Sequence, residues 1–117
     1  MKSSTIGRLY SVTKKFEEEN NSKTTAVLFN KKGDEYKLMF ASECLDDLSP
    51  YDSILEVVKY IKANEESLLR DLYFSIMTVH TEDESIMEIR ETCIEGVKYM
   101  KTAELFYDEL SEVYIMM

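Results

Sequence analysis

Hydrophobic and polar residues alternate along the first third of the chain in the manner of β-strands. In the run GRLYSVTKKFEEE, Tyr10, Val12 and Phe16 fall on one side. The runs TTAVLFN and EYKLMFAS follow, and the segment KKGD between them is typical of a hairpin turn. The pattern predicts a three-stranded antiparallel meander. A helix over residues 5–16 is the alternative, with an apolar side formed by Ile6, Leu9, Tyr10 and Phe16.

The spacing of apolar residues becomes helical after the only proline of the chain. Ser49 is suited to cap a helix and Pro50 to occupy its first position. The apolar positions that follow at helical spacing are Ile54, Leu55, Val57, Val58 and Ile61. We therefore expect a helix over residues 50–63. A further helix is favoured over residues 65–79, although its second half, LYFSIMTVH, is rich in residues that prefer strands.

The stretch over residues 82–114 is rich in carboxylates, with ten acidic side chains and three basic ones. Four of these acids are spaced by four, three and four residues. At about 100° per residue, they occupy an arc of about 60° on a helix. These four residues are Glu84, Glu88, Glu91 and Glu95. The opposite side is apolar and consists of Ile86, Ile89, Cys93, Val97 and Met100. The pattern predicts an amphipathic helix with one acidic ridge.

A second acidic ridge is predicted in the final segment of the chain. An unbroken helix would turn Glu104 onto the buried face, so a break is required near Lys101 and Thr102, where Thr102 can cap a new helix. The acids of the second ridge are then Glu104, Asp108 and Glu112. They lie opposite Phe106, Leu110, Val113 and Tyr114.

These elements together predict an α+β fold, in which the N-terminal meander packs against three to four helices. A length of 117 residues suits a single domain over residues 1–117, with mainly strands in 1–48 and mainly helices in 49–117. No apolar run is long enough to span a membrane, and the N-terminus lacks the apolar core of a signal peptide. Cys44 and Cys93 are too few for a disulfide framework. We therefore expect a cytoplasmic protein with reduced cysteines.

The net charge of −9 is confined to one half of the chain. Residues 1–63 contain 10 acidic and 10 basic residues, whereas residues 64–117 contain 13 acidic and 4 basic residues. Such a surface repels phosphates, which argues against direct binding of nucleic acid, and it also disfavours anionic membranes. A basic protein surface is the natural partner.

Catalytic and cofactor motifs are absent from the sequence. His80 is the only histidine, and no spacing places a cysteine or serine beside it. The three glycines are isolated, which excludes phosphate-binding and dinucleotide-binding loops. Neither a Glu-x-x-His motif nor a calcium loop occurs. We therefore expect no enzymatic activity, no catalytic residue, no metal site and no cofactor.

Like charges at helical spacing repel each other, and basic residues that would relieve the repulsion are scarce beside the two ridges. This suggests that the carboxylates serve to bind a partner. The predicted binding residues are Glu84, Glu88, Glu91, Glu95, Glu104, Asp108 and Glu112. Tyr99 and Tyr107 are the tyrosines expected to be most exposed, and tyrosine is enriched at interfaces. The alternative is an ordinary solvated surface.

Rows of carboxylates can imitate the charges of a nucleic-acid backbone and so occupy the phosphate-binding groove of a nuclease, repressor or polymerase. In its profile as a small, acidic, cysteine-poor chain, the protein resembles phage-encoded inhibitors of host or defence proteins, and also immunity proteins that neutralise nuclease toxins. This resemblance implies an inhibitor or adaptor of a basic protein. A second hypothesis is a self-assembling domain that dimerises through its apolar C-terminal segment, VYIMM, unless that segment enters the core.

Overall fold

The computed structural model describes residues 3–32, 35–71 and 74–117. The fold is α+β, and its described part contains three helices and a five-stranded mixed sheet. The helices are α1 (Ser3–Asn20), α2 (Pro50–Asp71) and α3 (Glu84–Thr92), and a short 3-10 turn covers Glu43–Leu45. The strands are β1 (Thr24–Lys32), β2 (Glu35–Ser42), β3 (Phe74–Thr78), β4 (Val97–Leu105) and β5 (Asp108–Met116). None of the described helices is long and apolar enough to cross a membrane.

The sheet joins strands from both halves of the chain in the order β3-β2-β1-β5-β4. Strands β2 and β3 are parallel, and the other neighbours are antiparallel. The last strand, β5, therefore lies inside the sheet beside β1, and β4 forms one edge. Helices and strands therefore occur in both halves of the described chain.

Apolar side chains are buried on both faces of the sheet, because successive residues of a strand point to opposite sides. On one face, Leu28 of β1 belongs to a cluster with Leu9 and Phe16 of α1, and the Phe16 ring meets that of Phe40 edge-on at 5.2 Å. On the other face, Val27 belongs to a cluster with Ile89 of α3. Each such fully buried side chain contributes about 1.5–3 kcal/mol to the free energy of folding.

The predicted three-stranded N-terminal meander is wrong, because its first strand is helix α1. The alternative helix over residues 5–16 is the correct one. Its buried residues Ile6, Leu9, Val12 and Phe16 recur at spacings that suit a helix better than a strand. The other two runs do form the expected antiparallel pair, with Val27 opposite Met39. The tip of that hairpin, Gly33 and Asp34, lies outside the described residues.

The predicted helix over residues 50–63 is confirmed and continues to Asp71 through a kink at Glu65. The hydroxyl of Ser49 accepts a hydrogen bond from the Asp52 N–H at 3.2 Å, which stabilises the first turn. The predicted helix over residues 65–79 is wrong from Phe74 onward, because Phe74–Thr78 is strand β3, and residues 72–73 of the prediction lie outside the described residues. Helix α2 connects β2 to β3, as the crossover between parallel strands requires.

The C-terminal prediction is correct at the start of α3 and wrong beyond Thr92. Cys93 is already extended, with φ −104° and ψ 146°, and Gly96 has a φ of +125°, so the helix does not continue toward Lys101. The second predicted helix, which would carry the second acidic ridge, is the β4–β5 hairpin. The prediction of three to four helices in the last two-thirds is therefore wrong in its C-terminal part.

The C-terminal segment lies in the core of a single chain. Ile115, Met116 and Met117 are 3%, 0% and 6% exposed. The sequence left open whether this segment enters the core or forms a dimer interface, and the structure shows it in the core.

Candidate functional site

Five carboxylates and a tyrosine surround a groove of about 490 Å³, formed where the start of α3 meets the tip of the β4–β5 hairpin. We call it the acidic groove. Its lining consists of Glu84, Ser85, Glu88, Glu104, Leu105, Phe106, Tyr107, Asp108 and Glu109. None of these lining residues is basic, so the groove presents concentrated negative charge.

The start of α3 is fixed by a side-chain cap and tied to the hairpin. The Asp83 carboxylate accepts hydrogen bonds from the N–H groups of Ser85 at 2.9 Å and Ile86 at 3.4 Å, as helix N-caps do. The Ser85 hydroxyl accepts a hydrogen bond from the Phe106 N–H at 2.7 Å. Ile86 and Ile89 are 0% and 2% exposed, and Ile89 packs in the cluster on one face of the sheet. The two walls of the groove therefore hold a defined position relative to each other.

The hairpin tip has an unusual backbone. Leu105 pairs with Asp108, and the two residues between them, Phe106 and Tyr107, have φ angles of 54° and 61°. Asn and Gly are the residues that normally occupy this left-handed region in tight hairpins, and other residues there cost about 1–3 kcal/mol each. In this conformation Phe106 packs against the buried cluster, while Tyr107 is 92% exposed at the rim of the groove.

Charge repulsion is built into both walls of the groove. Glu104 of β4 and Glu109 of β5 are directly opposite each other in the hairpin, an arrangement that destabilises a strand pair. Glu84 and Glu88 are one helical turn apart on α3, where like charges also repel. Among the ion pairs of the described residues, none involves the five carboxylates of the groove.

The basic residue of α3, Arg90, is directed away from the groove. Its Nε donates to the Thr25 hydroxyl and its Nη2 to the Lys23 carbonyl, both at 3.0 Å. Arg90 therefore fastens α3 to the start of β1 and does not neutralise the carboxylates of the groove.

Replacing one of the two opposed glutamates by lysine should stabilise the hairpin. In Glu104→Lys a repulsive cross-strand pair becomes an attractive one, which is worth about 0.5 kcal/mol, or about 2 °C in Tm. Thermal unfolding followed by circular dichroism measures this difference, with Glu104→Gln as an intermediate control. A Tm below that of the unchanged protein would contradict the assigned pairing of Glu104 with Glu109.

Tyr107 closes one side of the groove through a hydrogen bond. Its hydroxyl donates to Glu84 Oε2 at 3.1 Å. This bond, together with the negative charge of Glu84, raises the pKa of Tyr107 above its usual value, because ionisation would break the bond and place two negative charges side by side.

The substitution Glu84→Gln should therefore lower the pKa of Tyr107 toward the ordinary value of tyrosine. Titration of the tyrosine ring-carbon NMR signals against pH measures this change, and the signals of Tyr60, which bonds Glu19 elsewhere, serve as the control. If the pKa of Tyr107 did not move in Glu84→Gln, the contact between the two side chains would not exist in solution.

The structure brings four of the seven predicted binding residues together. Glu84, Glu88, Glu104 and Asp108 all line the acidic groove, although they come from a helix and a hairpin and not from two helices. The sequence interpretation identified these four residues and assigned the wrong secondary structure to two of them.

The other three predicted residues lie outside the groove. Glu91 is exposed on α3. Glu95 follows the helix and pairs with Lys14 at 2.6 Å. Glu112 is half-buried at an irregularity of β5, where it has a φ of 49° and accepts hydrogen bonds from Asn30 Nδ2 at 2.9 Å and Tyr36 Oη at 3.3 Å. The prediction of continuous ridges is therefore wrong, because α3 ends before Glu95 and no helix carries Glu112.

Glu109 and Ser85 belong to the groove and were missed by the helical periodicity. Glu109 lies beside Asp108 in sequence, so a helical interpretation places it off the ridge, whereas the hairpin register sets it opposite Glu104. Tyr107 is 92% exposed, as expected of the most exposed tyrosines, but Tyr51 at 74% is more exposed than Tyr99 at 51%, so that prediction is wrong for Tyr99. The feature that places Glu109 opposite Glu104 is the tight turn at Phe106 and Tyr107, and these two residue types do not predict a turn.

A second cavity, of about 170 Å³, is lined by Asp46, Ser53 and His80 among others. His80 Nδ1 accepts a hydrogen bond from the Glu82 N–H at 3.1 Å, and His80 Nε2 lies 3.8 Å from Asp46 Oδ2. The Ser53 hydroxyl bonds that of Thr78. A catalytic triad requires the histidine to link the serine and the aspartate, and the hydrogen bonds of these described residues do not join Ser53 to His80.

No group of three or more histidine, cysteine, aspartate or glutamate side chains suited to a metal ion occurs in the described part of the chain. The acidic groove presents five carboxylates and no basic lining residue. Its interpretation rests on its own geometry and charge, because no protein-family model, no curated protein and no solved structure matches the chain.

Proposed function

We propose that this protein is an inhibitor or adaptor that binds a basic, nucleic-acid-binding protein through the acidic groove. The observation that carries the proposal is the pair Glu104 and Glu109, which oppose each other directly at the rim of a groove without a basic lining residue. Selection for stability alone favours alternating charges. A repulsive pair within a cluster of five carboxylates is accounted for if a partner supplies the positive charge.

The walls of the groove carry glutamates at neighbouring positions. Directly opposite residues of an antiparallel pair have Cβ atoms about 4.5–5.5 Å apart, and residues one helical turn apart are about 5–6 Å apart. Arginine and lysine side chains that normally bind phosphates can bind such carboxylates instead, and the planar arginine group does so with two parallel hydrogen bonds. The groove would thus compete with nucleic acid for the same basic surface.

Tyr107 supplies an apolar contact beside the charges. A tyrosine that is 92% exposed at the rim of a groove offers a ring on which an arginine side chain can stack. Tyrosine and arginine are also the residues that most often dominate the binding energy of interfaces. We therefore assign to Tyr107 the role of the anchoring aromatic residue of this surface.

The charge distribution also favours a protein over other partners. With a net charge of −9, the chain would repel the phosphates of nucleic acid and of anionic lipid, so the proposal includes no direct nucleic-acid or membrane contact. We place the interaction in the cytoplasm, in keeping with the two free cysteines.

Self-assembly through the C-terminal segment is the less favoured function. Ile115, Met116 and Met117 are buried within the chain and offer little surface to a second copy. The carboxylates of the acidic groove, in contrast, are exposed, so binding through the groove is the favoured function.

The proposal is tested by capturing binding proteins from a cell lysate at low salt with three forms of the protein. These are the unchanged chain, a groove variant with Glu88→Lys, Glu104→Lys and Glu109→Lys, and a control variant with Glu43→Lys, Glu56→Lys and Glu66→Lys. The control residues are all exposed and lie outside the groove. Because each variant replaces three glutamates by lysine, both change the net charge equally.

We expect a basic nucleic-acid-binding protein to be retained by the unchanged and control forms, to elute with increasing salt, and to be lost from the groove variant. Equal loss from both variants would mean that net charge alone causes binding. Equal retention by all three forms would refute the role of the groove.

A further inference from the structure

Strand β4 forms a long, open edge of the sheet. It has nine residues, and β5 is its neighbour in the described strand order. The other edge, β3, has five residues. Edge strands carry unpaired backbone groups that can pair with another chain, and natural proteins often keep them short for this reason. The length of β4 therefore requires an explanation that the acidic groove does not give.

The hydrogen bonds at the start of β4 show which backbone groups face outward. Gly96 and Met117 exchange two hydrogen bonds, each of 3.0 Å. In an antiparallel pair, hydrogen-bonded and non-hydrogen-bonded residue pairs alternate. Lys98, opposite Ile115, is therefore bonded to β5, whereas the N–H and C=O groups of Val97 and Tyr99 point to the open edge.

The side chains of the same two residues are also exposed. Val97 is 44% and Tyr99 51% exposed. Both lie on the face of the sheet that carries Met116 and Tyr114, their direct neighbours on β5, and the rings of Tyr99 and Tyr114 are 4.9 Å apart. Open hydrogen-bonding groups and uncovered apolar side chains thus occur at the same two positions.

We propose that a second copy of this chain pairs with β4 in antiparallel orientation, with the two-fold axis at Lys98. In this register Val97 of each copy lies opposite Tyr99 of the other, so the outward backbone groups of both residues form hydrogen bonds. Valine with an aromatic residue is a favourable cross-strand pair. The result is a closed dimer with one continuous sheet, because pairing uses the β4 edge of both copies.

Of the charges near β4, one pair favours this register and one pair opposes it. Lys98 and Lys101 are two of the four basic residues in residues 64–117, so this edge is locally positive in an acidic half of the chain. Glu95 precedes β4, and the proposed register brings Lys101 of each copy toward Glu95 of the other. Lys14 bonds the Oε1 atom of Glu95, which leaves Oε2 for the second copy. The unfavourable contact is Lys98 facing its own copy at the axis.

The two lysines also restrict how β4 can pair. Lysine on an edge strand opposes indiscriminate pairing with other chains. Here the proposed register keeps Lys101 away from the lysines of the other copy and close to Glu95, and its one lysine pair is Lys98 with Lys98 at the axis. The dimer goes beyond the proposed function, since the groove residues Glu104 of β4 and Asp108 of β5 lie at the tip of the hairpin, far along the strand from Val97.

The register is tested by disulfide trapping in a chain with Cys44→Ser and Cys93→Ser. Residues facing each other in a non-hydrogen-bonded pair have Cα atoms about 4.5 Å apart, which suits a disulfide. Lys98→Cys should therefore form a linked dimer at least about tenfold faster than Lys101→Cys under mild oxidation, and the two rates should become equal in urea. Equal rates in buffer, or faster linkage at position 101, would overturn the proposed register.

The unchanged chain provides a measurement free of new cysteines. In sedimentation experiments from about 5 to about 500 μM, its mass should rise from 13.7 kDa toward twice that value. Val97→Pro removes an outward N–H without removing a bond to β5, so it should remain at the monomer mass. A constant mass of 13.7 kDa for the unchanged chain at all concentrations would overturn the dimer itself.

Discussion

Deletion of residues 114–117 should unfold the protein. Ile115, Met116 and Met117 fill the core on both faces of the sheet, beside β1 at its centre. Truncating a single buried isoleucine or methionine to alanine costs about 2–5 kcal/mol. Loss of all three side chains would therefore remove most of the free energy of unfolding, which is about 5–15 kcal/mol for a typical domain. Circular dichroism and sedimentation of the shortened chain should show an unfolded or aggregated protein.

The same expectation can be measured in graded form with a matched pair of isoleucines. Ile115 is 3% exposed and Ile94 is 88% exposed. Ile115→Ala should lower the free energy of unfolding by about 2–5 kcal/mol, whereas Ile94→Ala should change it by less than about 0.5 kcal/mol. A folded, monomeric product of the 114–117 deletion would contradict the buried position of the segment and would return it to the role of a dimer interface.

Charge reversal in the acidic groove should abolish partner binding without unfolding the protein. The variant with Glu88→Lys, Glu104→Lys and Glu109→Lys replaces three attractive contacts to a basic partner with three repulsive ones. We expect an affinity loss of at least about 100-fold, or about 2.7 kcal/mol, measured by calorimetry with the partner that the capture experiment identifies. Its thermal midpoint should stay close to that of the unchanged chain. The changes at positions 104 and 109 exchange one like-charge pair for another, and Glu88→Lys turns a repulsion with Glu84 into an attraction.

The control for this prediction is the variant with Glu43→Lys, Glu56→Lys and Glu66→Lys, which alters the net charge to the same extent. It should slow association slightly through long-range electrostatics and leave the dissociation rate unchanged. If both variants lost affinity equally, the binding would depend on net charge and not on the groove. A groove variant with unchanged affinity would refute the proposed site.

The parts of the fold that were predictable from the sequence are those with a strong local pattern. The β1–β2 pair has strand-forming residues on both sides of a glycine-containing turn, and the start of α2 has Ser49 and Pro50. The sequence of helix α1 was ambiguous, because the spacing of Tyr10, Val12 and Phe16 fits the period of a strand as well as that of a helix. The burial of Ile6 and Leu9 against α2 and the sheet, a tertiary effect, decides for the helix.

The C-terminal hairpin could not be predicted because its turn lacks the usual signal. Tight hairpins are recognised by Asn-Gly or Asp-Gly, whereas this one turns at Phe106 and Tyr107. The acids from Glu104 to Glu112 also repeat at the four-residue spacing of a helix. The pairing of β5 with β1, about 85 residues away in sequence, is a long-range contact that no local pattern reveals.

The candidate site was predictable in its charge and not in its shape. The excess of carboxylates from residue 82 onward is a property of the sequence, and it pointed to Glu84, Glu88, Glu104 and Asp108, which line the groove. Their convergence on one groove depends on the hydrogen bond between Phe106 and Ser85, which joins the hairpin tip to the start of α3. The packing of α3 against the β4–β5 hairpin therefore determines which acidic residues lie close together, and this packing is not visible in the sequence.

The central claim is that the acidic groove contacts the partner, and NMR mapping of the interface tests it most directly. The isotope-labelled chain would be titrated with the captured partner while its backbone amide signals are followed. The account predicts that the largest changes fall on residues 84–88 and 104–109, which form the groove. Changes confined to α1 and α2, with the groove signals unmoved, would contradict it.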